Sequence, residues 1–317
     1  MSPCEMPGVK HLAIISPANA RWHVEPPLAR FTLNNLSCAQ AAAIGLASAW
    51  LTVGVHAAVA QDTKSSAAYP GNEFVNVRLT SEKSTVALSG TSDLAVIFDI
   101  TPGWHLYWRN PGDSGLPPRV AFKPIDGVTF GPPQWPVPKR KVEGDMLLDY
   151  IYERELVLIV PVTLDARFAG GSSLSLTAEV EWLVCKERCL QGRAILTASI
   201  PVADGGSLSP DAKRFSDARA RHPILAAEFK TCESRWEGLR LTIRVKDATS
   251  LTFFPYENDE NVYPHDLIRD GSVKSDTLRL RYGEDVARLK RVAGILSVTR
   301  SGRETYLEIS VKPPDLK

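Results

Sequence analysis

The chain has 317 residues, with 37 Lys and Arg against 36 Asp and Glu, and 44% of it is hydrophobic. This length accommodates two domains with separate cores, and the hydrophobic share excludes large-scale disorder. Balanced charge leaves no basic footprint for nucleic acid or an anionic membrane surface.

In chain order, the first feature is a run of small and apolar residues from Ala41 to Val55 that includes Ile44, Leu46, Trp50 and Leu51. Arg30 precedes it, and Ala58-Val59-Ala60 closes it directly before the polar Gln61-Asp62-Thr63-Lys64. A positive charge, an apolar run and an A-x-A site in that order read as a secretory signal peptide cleaved after Ala60. An uncleaved anchor and a buried helix compete with this reading. The run is rich in Ala and Gly, however, and barely reaches the length of a membrane span. Residues 1–60 are therefore read as an N-terminal extension and signal peptide. No later stretch is long and apolar enough to span a bilayer, so the mature chain is expected to be soluble, and periplasmic or secreted if bacterial. Cleavage would remove Cys4 and Cys38 and leave Cys185, Cys189 and Cys232, in a compartment where disulfides persist.

The 21 glycines and 23 prolines fall between short apolar runs, which favours an all-β chain. Residues 69–205 read as a first β-sandwich. Phe74–Leu79, Ser84–Leu88, Leu94–Ile100 and Trp104–Trp108 are expected strands, with Thr101-Pro102-Gly103 as a turn. Asn110 to Pro118 is too rich in Pro and Gly for a regular element, and a long ordered loop often belongs to a functional surface. Gly131 to Pro136 is likewise irregular. Leu147–Tyr152 and Glu155–Val162 are expected to pair, with Tyr150 and Tyr152 on one face. Leu174, Leu176, Ala178, Val180, Trp182 and Val184 occupy alternate positions, the clearest period-two stripe in the chain. Ala194, Leu196, Ala198 and Ile200 answer it, so Cys185 to Gly192 lies at a hairpin tip or just beyond a strand end. This strand spacing is that of an immunoglobulin-like sandwich.

Residues 206–317 read as a second, smaller sandwich. A short linking helix is expected after Ser209-Pro210-Asp211, with Ser209 as N-cap and Pro210 at the first helical position. It should end before His222-Pro223. Strands follow at Leu239–Val245, Leu251–Phe254, Leu278–Leu280, Gly294–Val298 and Tyr306–Val311. This half carries no catalytic constellation. Cys232, near the junction, reads as a buried thiol outside the pair.

Cys185 and Cys189 flank Lys186-Glu187-Arg188. Two positive charges against one negative lower a thiol's pKa and favour thiol–disulfide exchange. A structural disulfide is one alternative, although closing so small a loop contributes only about 2 kcal/mol in the chain-entropy model. A metal site is another. His105, His222, His265 and Cys232 stand at no zinc-ligand spacing, whereas Cu(I) held by the two thiolates and Met146 fits soft-ligand chemistry better.

Trp182-Leu183-Val184-Cys185-Lys186-Glu187-Arg188-Cys189 resembles the W-L-V-C-K-E-x-C motif of the periplasmic N-terminal region of the DsbD/ScsB family, which comprises thiol–disulfide interchange and copper-tolerance reductases. Pro102 to Trp108, Asn110 to Pro118, Trp135-Pro136, Tyr150-x-Tyr152 and Phe253-Phe254-Pro255 also match, so the resemblance covers about residues 70 to 315. It implies tandem immunoglobulin-like domains, no cofactor, and Cys185 and Cys189 as the catalytic pair of a protein-disulfide reductase. It also implies a membrane electron-transfer protein as donor and periplasmic thioredoxin-like proteins as partners. Tyr150, Tyr152 and the Asn110–Pro118 loop would cover or flank the pair, unless the tyrosines are core. Family members continue into membrane-embedded and thioredoxin-like domains, whereas this sequence stops at Lys317, so a separate membrane reductase is the expected electron source. From a different functional class, a non-catalytic binding module or a Cu(I) carrier is the alternative.

Overall fold

Period-two burial organises the protein. In the computed structural model the described residues are 69–168, 170–226, 229 and 231–315. The expected signal peptide, Cys4 and Cys38 lie outside them.

Ten strands build the first sandwich: β1 (Val75–Ser81), β2 (Thr91–Ile100), β3 (His105–Gly112), β4 (Arg119–Phe122), β5 (Val128–Phe130), β6 (Lys139–Glu143), β7 (Leu147–Glu153), β8 (Glu155–Leu164), β9 (Ser173–Cys185) and β10 (Cys189–Pro201). One sheet has the order β1-β2-β8-β5. The other has the order β10-β9-β3-β7-β6, with β4 paired to β9. Val96, Phe98 and Leu158 meet Leu106, Trp108, Tyr150, Tyr152, Val180 and Trp182 between the sheets. The fold is all-β and immunoglobulin-like, as the strand spacing predicts.

Two strand expectations are corrected. Ser84–Leu88 forms no strand: within it only Val86 makes a β-bridge, to Val202, and the Ser84 and Val86 amides donate to the Ser207 and Pro201 carbonyls. Its Ala87 and Leu88 amides go to the side chains of Ser92 and Asp204 instead of a ladder. β7 and β8 do not pair with each other: β7 lies between β3 and β6, and β8 between β2 and β5. Arg154, at a φ of 67°, turns the chain from one sheet to the other.

Helix α1 (Ala212–Arg219) begins at Asp211, not at Ser209. Asp211 is drawn to Arg78 at 2.8 Å, and the Ser209 hydroxyl caps nothing. The helix ends before Pro223, as expected. It lays Phe215 and Ala218 on Ala95, Ile97, Val157 and Ile159 of the first sandwich, and Arg219 holds Glu82 at 2.6 Å and Asp93 at 2.5 Å.

The second sandwich comprises β11 (Ile224–Leu225), β12 (Cys232–Glu237), β13 (Arg240–Val245), β14 (Ser250–Pro255), β15 (Ser272–Val273), β16 (Thr277–Arg281), β17 (Val292–Arg300) and β18 (Arg303–Val311). Its sheets run β11-β18-β17-β14-β15 and β12-β13-β16. Cys232 sits buried in β12, opposite Val245, within this core. Phe254 and Ile295 join the first sandwich's core, where Trp108, Tyr150, Phe254 and Tyr256 form an aromatic cluster.

Phe215 is fully buried on the β2–β8 face. Phe215→Ala is expected to destabilise the protein by about 3–5 kcal/mol, read as a lower midpoint in urea unfolding.

Candidate functional site

β9 and β10 form an unbroken antiparallel ladder from Ser173↔Pro201 to Cys185↔Cys189. Lys186, Glu187 and Arg188 are the exposed tip, closed by the Lys186 amide donating to the Arg188 carbonyl at 3.2 Å. The two cysteines are the last register pair before the tip and form a disulfide, with Cα atoms 4.1 Å apart. The even-numbered residues of β9, Leu174 to Val184, fill the inter-sheet core. Cys185, an odd position, therefore faces outward.

An outward residue at a strand end is normally solvated, yet Cys185 is only 2% exposed, while Cys189 is exposed. Its cover comes from the same outer face: Tyr107, Ile151 and Leu183 pack with it. His105 is its register partner and the point at which β3 pairs with β9. Beyond Tyr107 the β3–β7 register slips, so that Tyr107 faces Ile151 but Gly112 faces Asp149. β4 then takes the place beside β9, from Arg119↔Glu181 to Phe122↔Ala178. The chain between β3 and β4 crosses the outer face and seats Gly115 against the Tyr107 ring, where a Cβ would come within 2.2 Å. Gly115 has a φ of +71°, so glycine is needed there for both conformation and space.

A polar network lies inside this cover. The Asp149 carboxylate accepts from the Ser114 amide at 2.9 Å and the Ser114 hydroxyl at 2.7 Å. Longer contacts continue to the Tyr107 hydroxyl at 3.5 Å and from there to His105 Nε2 at 3.3 Å. Burial pushes the His105 imidazole below its ordinary pKa and Lys141 adds to this, while Asp149, Glu143 and Glu153 pull the other way. Burial pushes the Tyr107 phenol up, partly offset by Ser114. A surface sulfur bonded to a sheltered one, with a histidine beside the sheltered one, is an arrangement suited to thiol chemistry.

Of the predicted flanking groups, the Asn110–Pro118 loop does cover the site, through Ser114 and Gly115. Tyr150 and Tyr152 do not: they point into the inter-sheet core, and the Tyr152 hydroxyl donates to the Pro136 carbonyl at 2.5 Å. The tyrosine that packs on Cys185 is Tyr107. Reading Trp104–Trp108 as an alternating strand identifies two faces but not which one meets the cysteines, so His105, Tyr107 and Asp149 go unassigned. Met146 is 79% exposed in the turn after β6, at the opposite end of β7 from Glu153, the residue paired with His105. Among the described residues no group of three or more His, Cys, Asp or Glu could hold a metal ion, and no helix is long and apolar enough to cross a membrane.

Residues 75–199, which span this sandwich and its hairpin, match the family profile described as "Thiol:disulfide interchange protein DsbD, N-terminal". Residues 75–199 are a DsbD N-terminal domain. The fold agrees: the N-terminal periplasmic domain of ScsB from Proteus mirabilis superposes with a TM-score of 0.51 at 16% identity, covering 81% of this chain and 98% of that one. The DsbD N-terminal domain of Neisseria meningitidis, in its reduced form, matches at 15% identity over 44% of this chain and 92% of that one, with a TM-score of 0.27. A comparison with curated proteins gave no match. In this DsbD N-terminal domain the cysteine pair ends the longest hairpin, and the β3–β4 loop shelters its inner half.

Gly115→Ala forces a Cβ into the Tyr107 ring at a left-handed φ. It is expected to destabilise the seated loop by about 1–3 kcal/mol, read as faster amide hydrogen exchange at positions 114 and 115 than in the wild type, with strands β9 and β10 unchanged.

Proposed function

We propose that the protein is a periplasmic dithiol/disulfide relay in which Cys185 and Cys189 carry two electrons to partner proteins. The observation that carries this reading is the asymmetry of the pair: Cys189 is exposed at the hairpin tip, and Cys185 is sheltered at 2% exposure. Thiol–disulfide exchange uses such an asymmetry, because one sulfur must meet the partner while the other waits to resolve the mixed disulfide. In this reading Cys189 forms the bond to the partner and Cys185 closes back onto it.

A purely structural role is poorly motivated. The ladder from Ser173 to Pro201 already fixes the register of the two strands, and closing a loop this short adds only about 2 kcal/mol. The match of residues 75–199 to the profile described as "Thiol:disulfide interchange protein DsbD, N-terminal" supports the redox role independently.

The proposal extends to the setting. The chain is exported by a signal peptide cleaved after Ala60. A separate DsbD-type membrane electron-transfer protein recharges the pair, and periplasmic thioredoxin-like proteins receive the electrons. Residues 69–205 form the redox domain and residues 206–317 its structural or docking module.

The test is to trap the partner. Cys185→Ala leaves the exposed Cys189 without its resolving thiol and is expected to accumulate mixed disulfides with periplasmic proteins, seen as reductant-sensitive bands on non-reducing gels. Cys189→Ala, which leaves only the sheltered thiol of the pair, is expected to accumulate at least about tenfold less, since exchange requires access to the sulfur. Absence of adducts in both variants would contradict the relay.

A further inference from the structure

If Cys185 resolves mixed disulfides, its sheltered thiol must lose a proton first, since the thiolate is the nucleophile. Apolar surroundings such as Tyr107, Ile151 and Leu183 oppose that ionisation, and little water reaches a residue 2% exposed. The proton therefore needs a local acceptor. His105 is the cross-strand partner of Cys185, and directly opposed side chains stand on the same face with Cβ atoms about 4.5–5.5 Å apart.

The hydrogen-bond chain, anchored by the Ser114–Asp149 bond, points to one form of the imidazole. The Ser114 hydroxyl proton goes to the Asp149 carboxylate. A serine hydroxyl has one proton, so towards Tyr107 its oxygen accepts. With that proton committed, the arrangement that satisfies both longer contacts has the Tyr107 phenol donating to Ser114 at 3.5 Å and accepting from His105 Nε2 at 3.3 Å. Nε2 therefore carries the ring hydrogen, and Nδ1 is left with a lone pair. Asp149, only 5% exposed, polarises the whole chain in this direction.

We propose that His105 is the general base that takes the Cys185 proton when this thiol resolves a mixed disulfide on Cys189, and that Tyr107, Ser114 and Asp149 are positioning residues that hold its tautomer. This rests on the relay reading above. In the step, the Cys185 S–H proton passes to Nδ1 and the Cys185 thiolate attacks the Cys189 sulfur. The Cys185–Cys189 bond forms as the Cys189–partner bond breaks, and the partner leaves as a thiolate that takes up the proton. The dithiol is oxidised by two electrons and the partner disulfide is reduced by two.

The charged groups around the ring fit a base that is neutral at rest. Lys141 and Glu143 act on it from β6 and Asp149 and Glu153 from β7, and Tyr107 stands beside it on its own strand. Lys186 lies across the turn beside Gly103. Lys139 is tied to Glu153 at 2.8 Å, and Lys141 to Glu143. Burial and Lys141 keep the imidazole unprotonated, while Asp149, Glu143 and Glu153 stabilise the imidazolium once it forms.

The test uses reduced protein, in a Cys4→Ser, Cys38→Ser background, mixed in a stopped-flow instrument with one equivalent of 5,5′-dithiobis(2-nitrobenzoate). The first thionitrobenzoate leaves as Cys189 is modified, and the second as Cys185 closes the disulfide. His105→Gln is expected to slow the second phase at least about tenfold at pH 7 and to leave the first unchanged. In the wild type the second rate falls only as pH drops through the lowered histidine pKa. In His105→Gln it climbs about tenfold per pH unit up to the thiol pKa. Tyr107→Phe, which keeps the ring but frees Nε2, is expected to slow the same phase alone. Two unchanged phases, or two phases slowed equally with the wild-type pH profile, would overturn the role of His105. A wild type that releases one equivalent and never closes the disulfide would instead defeat the relay itself.

Discussion

The phase of the β9–β10 ladder is the constraint on which the rest of the structure depends. Even positions of β9 from Leu174 to Val184 must face the core to bury their apolar side chains. A one-residue slip would turn that whole set to solvent. With the phase fixed, Cys185 has to lie on the outer face and Cys189 has to oppose it at the tip. The disulfide is thus placed by the hydrophobic pattern of the strand and not by its own bond. Gly192 belongs to the same fit: it opposes Trp182, and a Cβ there would come within 2.1 Å of the indole ring.

An outward cysteine needs a second device to be sheltered, and β3 supplies it. Its first half places His105 and Tyr107 beside Cys185, while Leu106 and Trp108 enter the core. Its second half leaves the regular register and reaches the second sandwich. There the Asn110 side chain donates to the Pro255 carbonyl at 2.8 Å, and Arg109 pairs with Glu257 at 2.6 Å. On the neighbouring β6, Arg140 donates to the Leu267 carbonyl at 2.6 Å. The strand that shelters the cysteine is therefore anchored at its far end by the second sandwich. This gives the otherwise featureless second half a physical role, since bonds to buried backbone carbonyls are costly to break.

Much of this was legible in the sequence because period-two burial is a strong signal. The β9 stripe, the hairpin with its cysteine pair and the all-β class all follow from alternation and from Pro and Gly placement. Of the segment Asn110–Pro118, expected to be irregular, the first three residues belong to β3, which runs to Gly112. Sheet membership did not follow. Leu147–Tyr152 and Glu155–Val162 look like a hairpin, but Arg154 adopts a left-handed turn that sends them to different sheets. Ser84–Leu88 has strand-like composition, yet the side chains of Ser92 and Asp204 take its Ala87 and Leu88 amides, so no continuous ladder forms. The site was half legible for the same reason: the cysteines announce themselves by spacing. His105 and Tyr107 become site residues only through a cross-strand register, and Tyr150 and Tyr152 lose that role by facing the core. Ser209 is a good local cap, but Asp211 is held by Arg78 and starts the helix later.

The central claim, that the Cys185–Cys189 bond is opened and closed in use, is tested most directly by its reduction potential in the folded protein. Equilibration against glutathione or dithiothreitol buffers, read by thiol alkylation and mass, should give a value above about −300 mV, within reach of cellular dithiol donors. A value below about −300 mV, in the range of inert structural bridges, would contradict the account.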